Sequence, residues 1–246
     1  MRYQGGKSKT AKQIAVEIAS RRGGRNTLVS LFCGACSVEA KLAKYFEKVI
    51  CNDNHKYLIA LLKGVQSGYE LPDYISEEQY QYTRNHMDED PVLTGFVGFG
   101  SSFGGKFFGG YGRSKNRSHA NESKRALLRD NERLKNAIFT CYDYRNVELP
   151  YGCVIYADPP YDGTTQYNNE TFNTRAFWLY ARETSKNHLM FISEQHAPDD
   201  FVSIWSHCIT RTLDANKDNQ FTATEHLYIH KSWPDKLSLG EENETI

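Results

Sequence analysis

A five-residue apolar run that ends at two prolines places the tightest limit on how this chain can fold. The run Cys153–Ala157 is short, apolar and partly β-branched, which is typical of a buried strand. Pro159 and Pro160 cannot donate hydrogen bonds to a sheet, so the strand must stop before them. Asp158 and Tyr161 are therefore predicted on stiff backbone at the carboxyl end of a strand, where open α/β sheets bind ligands.

The tetrad Asp158-Pro159-Pro160-Tyr161 suits the chemistry of a planar amine. The carboxylate of Asp158 and the carbonyl of Pro159 can each accept a hydrogen bond from such an amine, and the ring of Tyr161 offers a flat face for stacking. A strand followed by a Pro-Pro turn without any chemistry is the alternative. These four residues alone leave both interpretations open.

A second strand, followed by a loop and a helix, is predicted near the N-terminus. Residues 27–32 read as a strand and residues 33–37 as a loop of small residues, an arrangement that brings backbone N–H groups against a ligand. The next strand, 48–52, ends at Asp53, nineteen positions after Gly34, where an acidic residue suits binding of ribose hydroxyls. The glycine pattern for a pyrophosphate is missing, so an adenosine cofactor without pyrophosphate fits better than NAD.

Two further segments are candidates for contact with a ligand. Tyr3 and Lys7 flank paired glycines, which cost conformational entropy unless the backbone must approach something closely, although a disordered terminus with solvated side chains is the alternative. The predicted strand 137–142 ends before Asp143 and Tyr144, which could bond to and stack against an adenine ring. Equally, Asp143 could cap a turn.

The charges of this 246-residue chain balance, with thirty Lys and Arg against thirty Asp and Glu, so attraction to nucleic acid requires local segregation of charge. Residues 95–112 alternate aromatic residues with glycines, and residues 106–135 carry nine basic side chains against three acidic ones. Such a surface can neutralise phosphates and stack on bases, although a solvated helical face is the alternative for residues 122–135. The candidate DNA-binding residues are Lys106, Arg113, Lys115, Arg117, Lys124 and Arg125.

The six cysteines are interpreted as reduced thiols of a cytoplasmic protein, since we find no stretch of membrane length and no apolar segment typical of a signal peptide. The Cys33-x-x-Cys36 pair admits a redox or zinc interpretation. A structural zinc site requires a second such pair, however, and Cys51 has no neighbour of that kind. We therefore expect no metal and regard both cysteines as small residues of a tight loop.

Four motifs occur along the chain in an informative order. They are Tyr3-x-Gly5-Gly6-Lys7, Phe32-Cys33-Gly34-Ala35-Cys36-Ser37, Asp53 and Asp158-Pro159-Pro160-Tyr161. Together they resemble the Dam-type adenine-specific (N6) DNA methyltransferases over nearly the whole chain, with one departure, since Cys36 stands where the family has its second glycine. The resemblance implies an α/β fold with a Rossmann-like methyltransferase sheet, helices on both faces and an inserted target-recognition region.

The resemblance also implies which part of the chain carries each function. Residues 1–66 and 137–246 would form the catalytic domain, and residues 67–136 the inserted region that recognises duplex DNA. The cofactor would be S-adenosylmethionine, bound by Tyr3, Lys7, Phe32, Cys33, Gly34, Ala35, Cys36, Ser37, Asp53, Asp143 and Tyr144. A target adenine flipped out of the duplex would be held by Asp158, Pro159, Pro160 and Tyr161. We expect a monomer or weak dimer that acts in a bacterium or phage-infected cell, in restriction–modification or in protection of phage DNA.

Two alternatives remain at this stage. An RNA adenine methyltransferase is one, because the tetrad recognises an amine on a planar group and not a polymer, although the long insertion favours reading a duplex. The other is a DNA-binding homologue that has lost catalysis, for which Cys36 is the only argument.

Overall fold

A seven-stranded sheet forms the centre of the protein in a computed structural model that describes residues 1–113, 118–160, 172–212 and 220–233. The strands are β1 (Thr27–Ser30), β2 (Lys48–Asn52), β3 (Ile138–Thr140), β4 (Val154–Ala157), β5 (Leu189–Glu194), β6 (Phe201–Thr212) and β7 (Gln220–His230). They pair in the order β3-β2-β1-β4-β5-β7-β6. The first five strands of the chain are parallel, and β7 is antiparallel to both β5 and β6.

The helices are α1 (Ala11–Arg21), α2 (Glu39–Leu42), α3 (Lys56–Gln66), α4 (Glu77–Asn85), α5 (Pro91–Gly95), α6 (His119–Arg133) and α7 (Thr174–Thr184). A π-helical turn, Phe96–Gly100, continues α5, and 3-10 turns occupy Ala43–Tyr45, Phe103–Gly105 and Tyr144–Asn146. The Ser76 hydroxyl caps the start of α4 by accepting from the Gln79 N–H.

Successive strand residues face opposite sides of the sheet and build two apolar cores. In β1, Leu28 packs into a core with Ile14 of α1 and Leu58 of α3. Its neighbour Val29 packs into the second core, with Phe177 of α7. Helices therefore cover both faces, and the expected Rossmann-like methyltransferase architecture is confirmed.

The aromatic–glycine run of residues 95–112 divides between core and surface. Phe96 and Phe99 are fully buried in the same core as Leu58, so their interpretation as a base-stacking surface is wrong. Each gains about 1.5–3 kcal/mol from burial, which explains why they turn inward. Phe103 is 77% exposed and is the ring of this run that meets solvent most fully among the described residues.

The direction of strand addition reverses between β1 and β4. From β1 the sheet grows through β2 to β3, and from β4 it grows through β5. The loops that leave the carboxyl ends of β1 and β4 therefore diverge and open a crevice, the usual ligand site of such sheets. Over the ranges that the structure describes, no helix has the length and apolar character needed to cross a membrane.

Candidate active site at the carboxyl edge of the sheet

A cavity of about 780 Å³ opens at this crevice. Its walls come from the segments that follow β1, β2, β3 and β4, together with the N-terminal loop. The structure thus brings together thirteen of the residues that the sequence singled out: Tyr3, Lys7, Phe32, Cys33, Gly34, Ala35, Ser37, Asp53, Asp143, Tyr144, Asp158, Pro159 and Pro160. Cys36 does not line the cavity, and Tyr161 lies outside the described residues.

Gly34 allows the N-terminal loop to close on the loop after β1. Its φ of +49° lies in the left-handed region that favours glycine. A Cβ at this position would lie 2.9 Å from Cε1 of Tyr3. The ring of Tyr3 therefore packs directly over the Gly34 backbone, and any larger residue would push the two loops apart.

The backbone at Cys36 adopts a conformation that favours glycine. Its φ is +56°, so a residue with a Cβ is strained there by about 1–2 kcal/mol. Its side chain is buried on the core side, beside Leu62 and Leu127. The cysteine therefore costs backbone strain, but its thiol does not enter the cavity.

The thiols of Cys33, Cys36 and Cys51 are all buried. Burial raises the pKa of Cys33 well above its ordinary value, which keeps this thiol protonated and weakly nucleophilic at neutral pH. Within the described part of the chain, no group of three or more His, Cys, Asp or Glu side chains is placed to hold a metal ion.

Asp53 stands at the tip of β2 with both carboxylate oxygens held by backbone. Oδ2 accepts from the Gly34 N–H at 3.0 Å, and Oδ1 accepts from the His55 N–H at 3.0 Å. Burial raises the pKa of this carboxyl, whereas the two N–H donors lower it. Each oxygen of a carboxylate has a second lone pair, so the group can accept two hydroxyl protons from the cavity side.

Asn52 ties the ends of three strands together, a role that the sequence analysis missed. Its Nδ2 donates to the carbonyls of Leu31 and Tyr142 at 3.1 and 2.9 Å. Its Oδ1 accepts from the Tyr142 N–H at 3.0 Å and the Thr140 hydroxyl at 2.9 Å. A polar residue at the end of the apolar run 49–51 was the available signal.

Asp143 caps a turn, the alternative that the sequence left open. It accepts from the Arg145 backbone N–H at 2.9 Å and forms a two-pronged ion pair with the guanidinium at 2.7 and 3.0 Å. The Arg145 side chain lowers the pKa of Asp143. Tyr144 is buried, with its ring centroid 5.3 Å from that of Phe32 and 5.8 Å from that of Phe177, and so provides a flat aromatic wall.

Lys7 lies beside two carboxylates, one just after β4 and one in β7. Its Nζ lies 2.6 Å from Oδ1 of Asp158 and 3.4 Å from Oε1 of Glu225. Glu225 belongs to β7 and is 2% exposed. The sequence analysis expected Lys7 to act on the cofactor, and it missed Glu225, because its strand shows no local sign that it lies near β4.

Glu39, at the start of α2, is a second buried acid that the sequence analysis missed. It lines the cavity, and its Oε1 accepts from the Ser30 hydroxyl at 2.6 Å. Burial raises the pKa of Glu39 to about 7, against the lowering effect of the Ser30 hydrogen bond. This carboxyl therefore changes charge near neutral pH.

His55 links the site to the aromatic–glycine run of residues 95–112. Its ring centroid lies 4.9 Å from that of Phe99 and 4.4 Å from that of Phe107, while its Nδ1 accepts from the Leu58 N–H at the start of α3. Burial lowers the pKa of His55 to about 4, so the ring is neutral at pH 7.

Some of the candidate DNA-binding side chains are exposed, and others form ion pairs within the protein. Lys106 and Arg125 are exposed, whereas Arg113 pairs with Glu77 and Lys124 pairs with Asp73. Lys115 and Arg117 lie outside the described residues. The turn that bears Phe103 packs against the N-terminal loop, since the Gly105 carbonyl accepts from the Gln4 N–H at 3.2 Å.

The chain matches one protein-family model over most of its length. The family model of the D12 class N6 adenine-specific DNA methyltransferases matches residues 3–91 and 98–231. No curated protein matches the chain significantly. Similar solved structures include a tRNA methyltransferase from Aquifex aeolicus, with 11% identity, a TM-score of 0.38 and coverage of 90% of this chain and 68% of that one. An rRNA methylase from Streptococcus thermophilus has 8% identity and a TM-score of 0.37, with coverage of 89% and 96%.

Proposed function

Because the chain belongs to the D12 class of N6 adenine-specific DNA methyltransferases, we propose that it transfers a methyl group from S-adenosylmethionine to the exocyclic amine of adenine in duplex DNA. The observation that carries this proposal is the single cavity that has Asp53 in one wall and Asp158 in another. A ribose-binding acid and an amine-binding acid thereby share one cavity.

The residues of the cavity fit S-adenosylmethionine. Asp53 offers two acceptor oxygens for the ribose, and Gly34 leaves the backbone open where a Cβ would project toward Tyr3. Phe32 and Tyr144 form an aromatic wall suited to the adenine ring, because flat rings pack favourably at their centroid separation of 5.3 Å. About 780 Å³ is enough for a cofactor of this size with a base beside it.

Asp158 and Pro159 prepare the target amine for attack. An exocyclic amine is a poor nucleophile because its lone pair is delocalised into the ring. Hydrogen bonds from its two protons to the Asp158 carboxylate and the Pro159 carbonyl favour a pyramidal nitrogen and free that pair. S-adenosylmethionine supplies a sulfonium methyl group that accepts the pair, while the electrons of the broken carbon–sulfur bond stay on sulfur. The methylated nitrogen, now cationic and strongly acidic, gives one proton to Asp158 and from there to water.

Lys7 keeps Asp158 ionised and fixed in place. An ammonium 2.6 Å from the carboxylate favours its charged, accepting form. The same ion pair limits rotation of the carboxylate, so that it faces the cavity. Lys7 thus acts as a positioning residue for Asp158 in this proposal.

Recognition of the duplex is assigned to residues 67–136, with the catalytic domain formed by residues 1–66 and 137–246. Lys106 and Arg125 are exposed and suited to phosphates. Phe103 lies on the turn that packs against the N-terminal loop, and this loop lines the cavity, so an exposed ring there can stack on a base. We place the activity in the cytoplasm of a bacterium or a phage-infected cell, where duplex DNA and reduced thiols coexist, consistent with six free cysteines.

The test is transfer of labelled methyl from S-adenosylmethionine to unmethylated duplex DNA, with RNA and single-stranded DNA in parallel, followed by nucleoside analysis. We expect label in N6-methyladenine from the duplex. Label in RNA alone would move the same site to the alternative substrate. Salt-sensitive duplex binding without any transfer would instead establish a binding protein that has lost catalysis.

A further inference from the structure

Glu39 is an ionisable residue in the cavity wall that the proposed methyl transfer does not use. It is 1% exposed and lines the same cavity as Asp53 and Asp158. Its Oε1 is fixed by the Ser30 hydroxyl at 2.6 Å, so the carboxyl is held in one orientation. A buried carboxyl at such a position is costly unless it interacts with a charge.

Two carboxylates from different elements disfavour the ionised form of Glu39. Asp158, after β4, and Asp53, after β2, both disfavour its ionised form. The other titratable side chains coupled to it are neutral at pH 7, namely Tyr156 of β4 and the thiols of Cys33, Cys36 and Cys51. The charged side chains of α6 that approach α2 act on Lys41 instead, namely Arg129, Asp130 and Arg133.

The ammonium of Lys7 is shared between two other acids. Lys7 lies between Asp158 and Glu225, at 2.6 and 3.4 Å. One cation thus faces two carboxylates before Glu39 is counted. If Glu39 ionises as well, the wall gains a further negative charge, and a positively charged ligand becomes its natural complement.

We propose that Glu39 lets the site distinguish the cationic sulfonium cofactor from its neutral thioether product, being ionised when the cation is bound and protonated when the product is bound. This inference rests on the proposed function, because it takes S-adenosylmethionine as the ligand. The cofactor carries one positive charge more than S-adenosylhomocysteine does, and only that charge favours the ionised carboxyl. Product release is then helped by a proton that Glu39 takes up from water.

The surroundings of Glu39 suit a carboxyl that changes its charge between the cofactor complex and the product complex. Because burial raises the pKa of Glu39 to about 7, the change of charge costs little near neutral pH. The Ser30 hydroxyl favours the ionised form, which provides a way to move the transition without removing the carboxyl.

The test is calorimetric titration of the full chain with S-adenosylmethionine and with S-adenosylhomocysteine, in buffers of different ionisation enthalpy, at pH 6, 7 and 8. The number of protons released on binding follows from the buffer dependence. We expect release of about half a proton at pH 7 with the sulfonium cofactor, and uptake of about half a proton by Glu39 with the product. The α-amino group of the cofactor also titrates near pH 8, so the quantity compared is the difference between the wild type and Glu39→Gln.

Two variants separate this role from a structural one. Glu39→Gln keeps the size of the side chain and should lose the proton release and the pH dependence of the preference for cofactor over product. Ser30→Ala keeps the carboxyl but removes its hydrogen bond, and should shift the midpoint of the linkage to higher pH. If Glu39→Gln does not fold, the difference in the midpoint of proton release between the wild type and Ser30→Ala still tests whether Glu39 is the group that titrates.

The outcomes also separate this inference from the proposed function. Equal proton release by the wild type and Glu39→Gln, or no release by the wild type, would overturn the role of Glu39 while leaving methyl transfer intact. Failure of the wild type to bind S-adenosylmethionine at all would instead remove the proposed function.

Discussion

The ammonium of Lys7 lies 2.6 Å from the carboxylate of Asp158, although the two residues are 151 positions apart in the sequence. The side chains are 6% and 17% exposed, so the pair is largely shielded from water, while Asp158 still reaches the cavity. A carboxylate held in this way is an oriented hydrogen-bond acceptor with a fixed charge. The predictions below follow from this arrangement and from the groups around it.

Asp158→Ala should abolish methyl transfer while leaving cofactor binding in place. The substitution removes the acceptor for the amine proton, but it leaves Asp53, Gly34 and their hydrogen bonds unchanged. Turnover measured with labelled cofactor should fall by at least a hundredfold, within the usual range for loss of a proton acceptor. The matched control is Asp199→Asn, an exposed acid in the loop before β6, which should leave turnover unchanged. Normal turnover of Asp158→Ala would remove the role assigned to this residue.

Lys7→Gln should destabilise the fold, because it leaves two neighbouring carboxylates without the cation between them. Breaking a buried pair by removing one partner costs about 3–5 kcal/mol, and urea denaturation measures that loss. The double substitution Lys7→Gln with Glu225→Gln should recover part of it, since one of the two buried charges is then gone. Lys186→Gln, from an exposed pair with Glu183, is the control and should cost less than about 1 kcal/mol. Equal losses for both lysines would show that burial of the Lys7 pair has no energetic consequence.

Phe103→Ala should weaken binding to duplex DNA and leave cofactor binding unchanged. An exposed ring that stacks on a base contributes about 1–3 kcal/mol, so the Kd for DNA should rise roughly five- to 150-fold. Tyr151→Ala is the control, because Tyr151 is fully exposed but precedes β4, at the opposite edge of the sheet from the cavity. Fluorescence anisotropy with labelled duplex measures both. A similar small effect of the two substitutions would mean that Phe103 does not touch DNA.

Glu39→Gln should change how stability depends on pH. In the wild type, the pKa of Glu39 rises from 4.5 to about 7 on folding, so its contribution is lost as pH rises through that window. The pKa of His55 falls from 6.5 to about 4, so its neutral form contributes stability that is lost as pH falls from 6.5. The two effects oppose each other between pH 4.5 and 6.5.

Removing Glu39 should therefore make the free energy of unfolding rise more steeply with pH than in the wild type. The difference between Glu39→Gln and the wild type should grow in favour of the variant by up to about 3 kcal/mol between pH 4.5 and 7.5, from 1.36 kcal/mol for each pKa unit. Urea denaturation at pH 4.5, 6 and 7.5, without cofactor, measures this difference. Parallel curves for the two proteins would show that Glu39 does not titrate in this range.

The sequence predicted those parts of the site that depend on local signals. Asp53 and Asp158 each end a short apolar strand, and the carboxyl ends of parallel strands meet at one edge of a sheet, so their convergence follows from the strands alone. Glu225 could not be found in this way. Its place beside Lys7 depends on β7 inserting antiparallel between β5 and β6, which no local pattern in the chain indicates.

The aromatic–glycine run illustrates the same limit. Its residues follow neither a helical nor a strand period, so the sequence does not show which rings turn inward. Packing of α5 and its π-helical continuation against α3 buries Phe96 and Phe99 and leaves Phe103 outside. The contact of Phe99 with His55 and Tyr3 arises from this tertiary packing and has no signal of its own in the sequence.

Substitutions of Cys36 should separate backbone strain from cofactor binding. Its φ of +56° disfavours any residue with a Cβ, so Cys36→Gly should be about 1 kcal/mol more stable than Cys36→Ala, although both lose the same buried thiol. Because the thiol lies on the core side, the Kd for S-adenosylmethionine should stay within about threefold of the wild type in both variants, since no cofactor contact worth more than about 0.7 kcal/mol is removed. Thermal denaturation and calorimetric titration measure the two quantities. A gain of tenfold or more in cofactor affinity for Cys36→Gly alone would mean that the cysteine obstructs the cofactor, and would favour a binding protein that has lost catalysis.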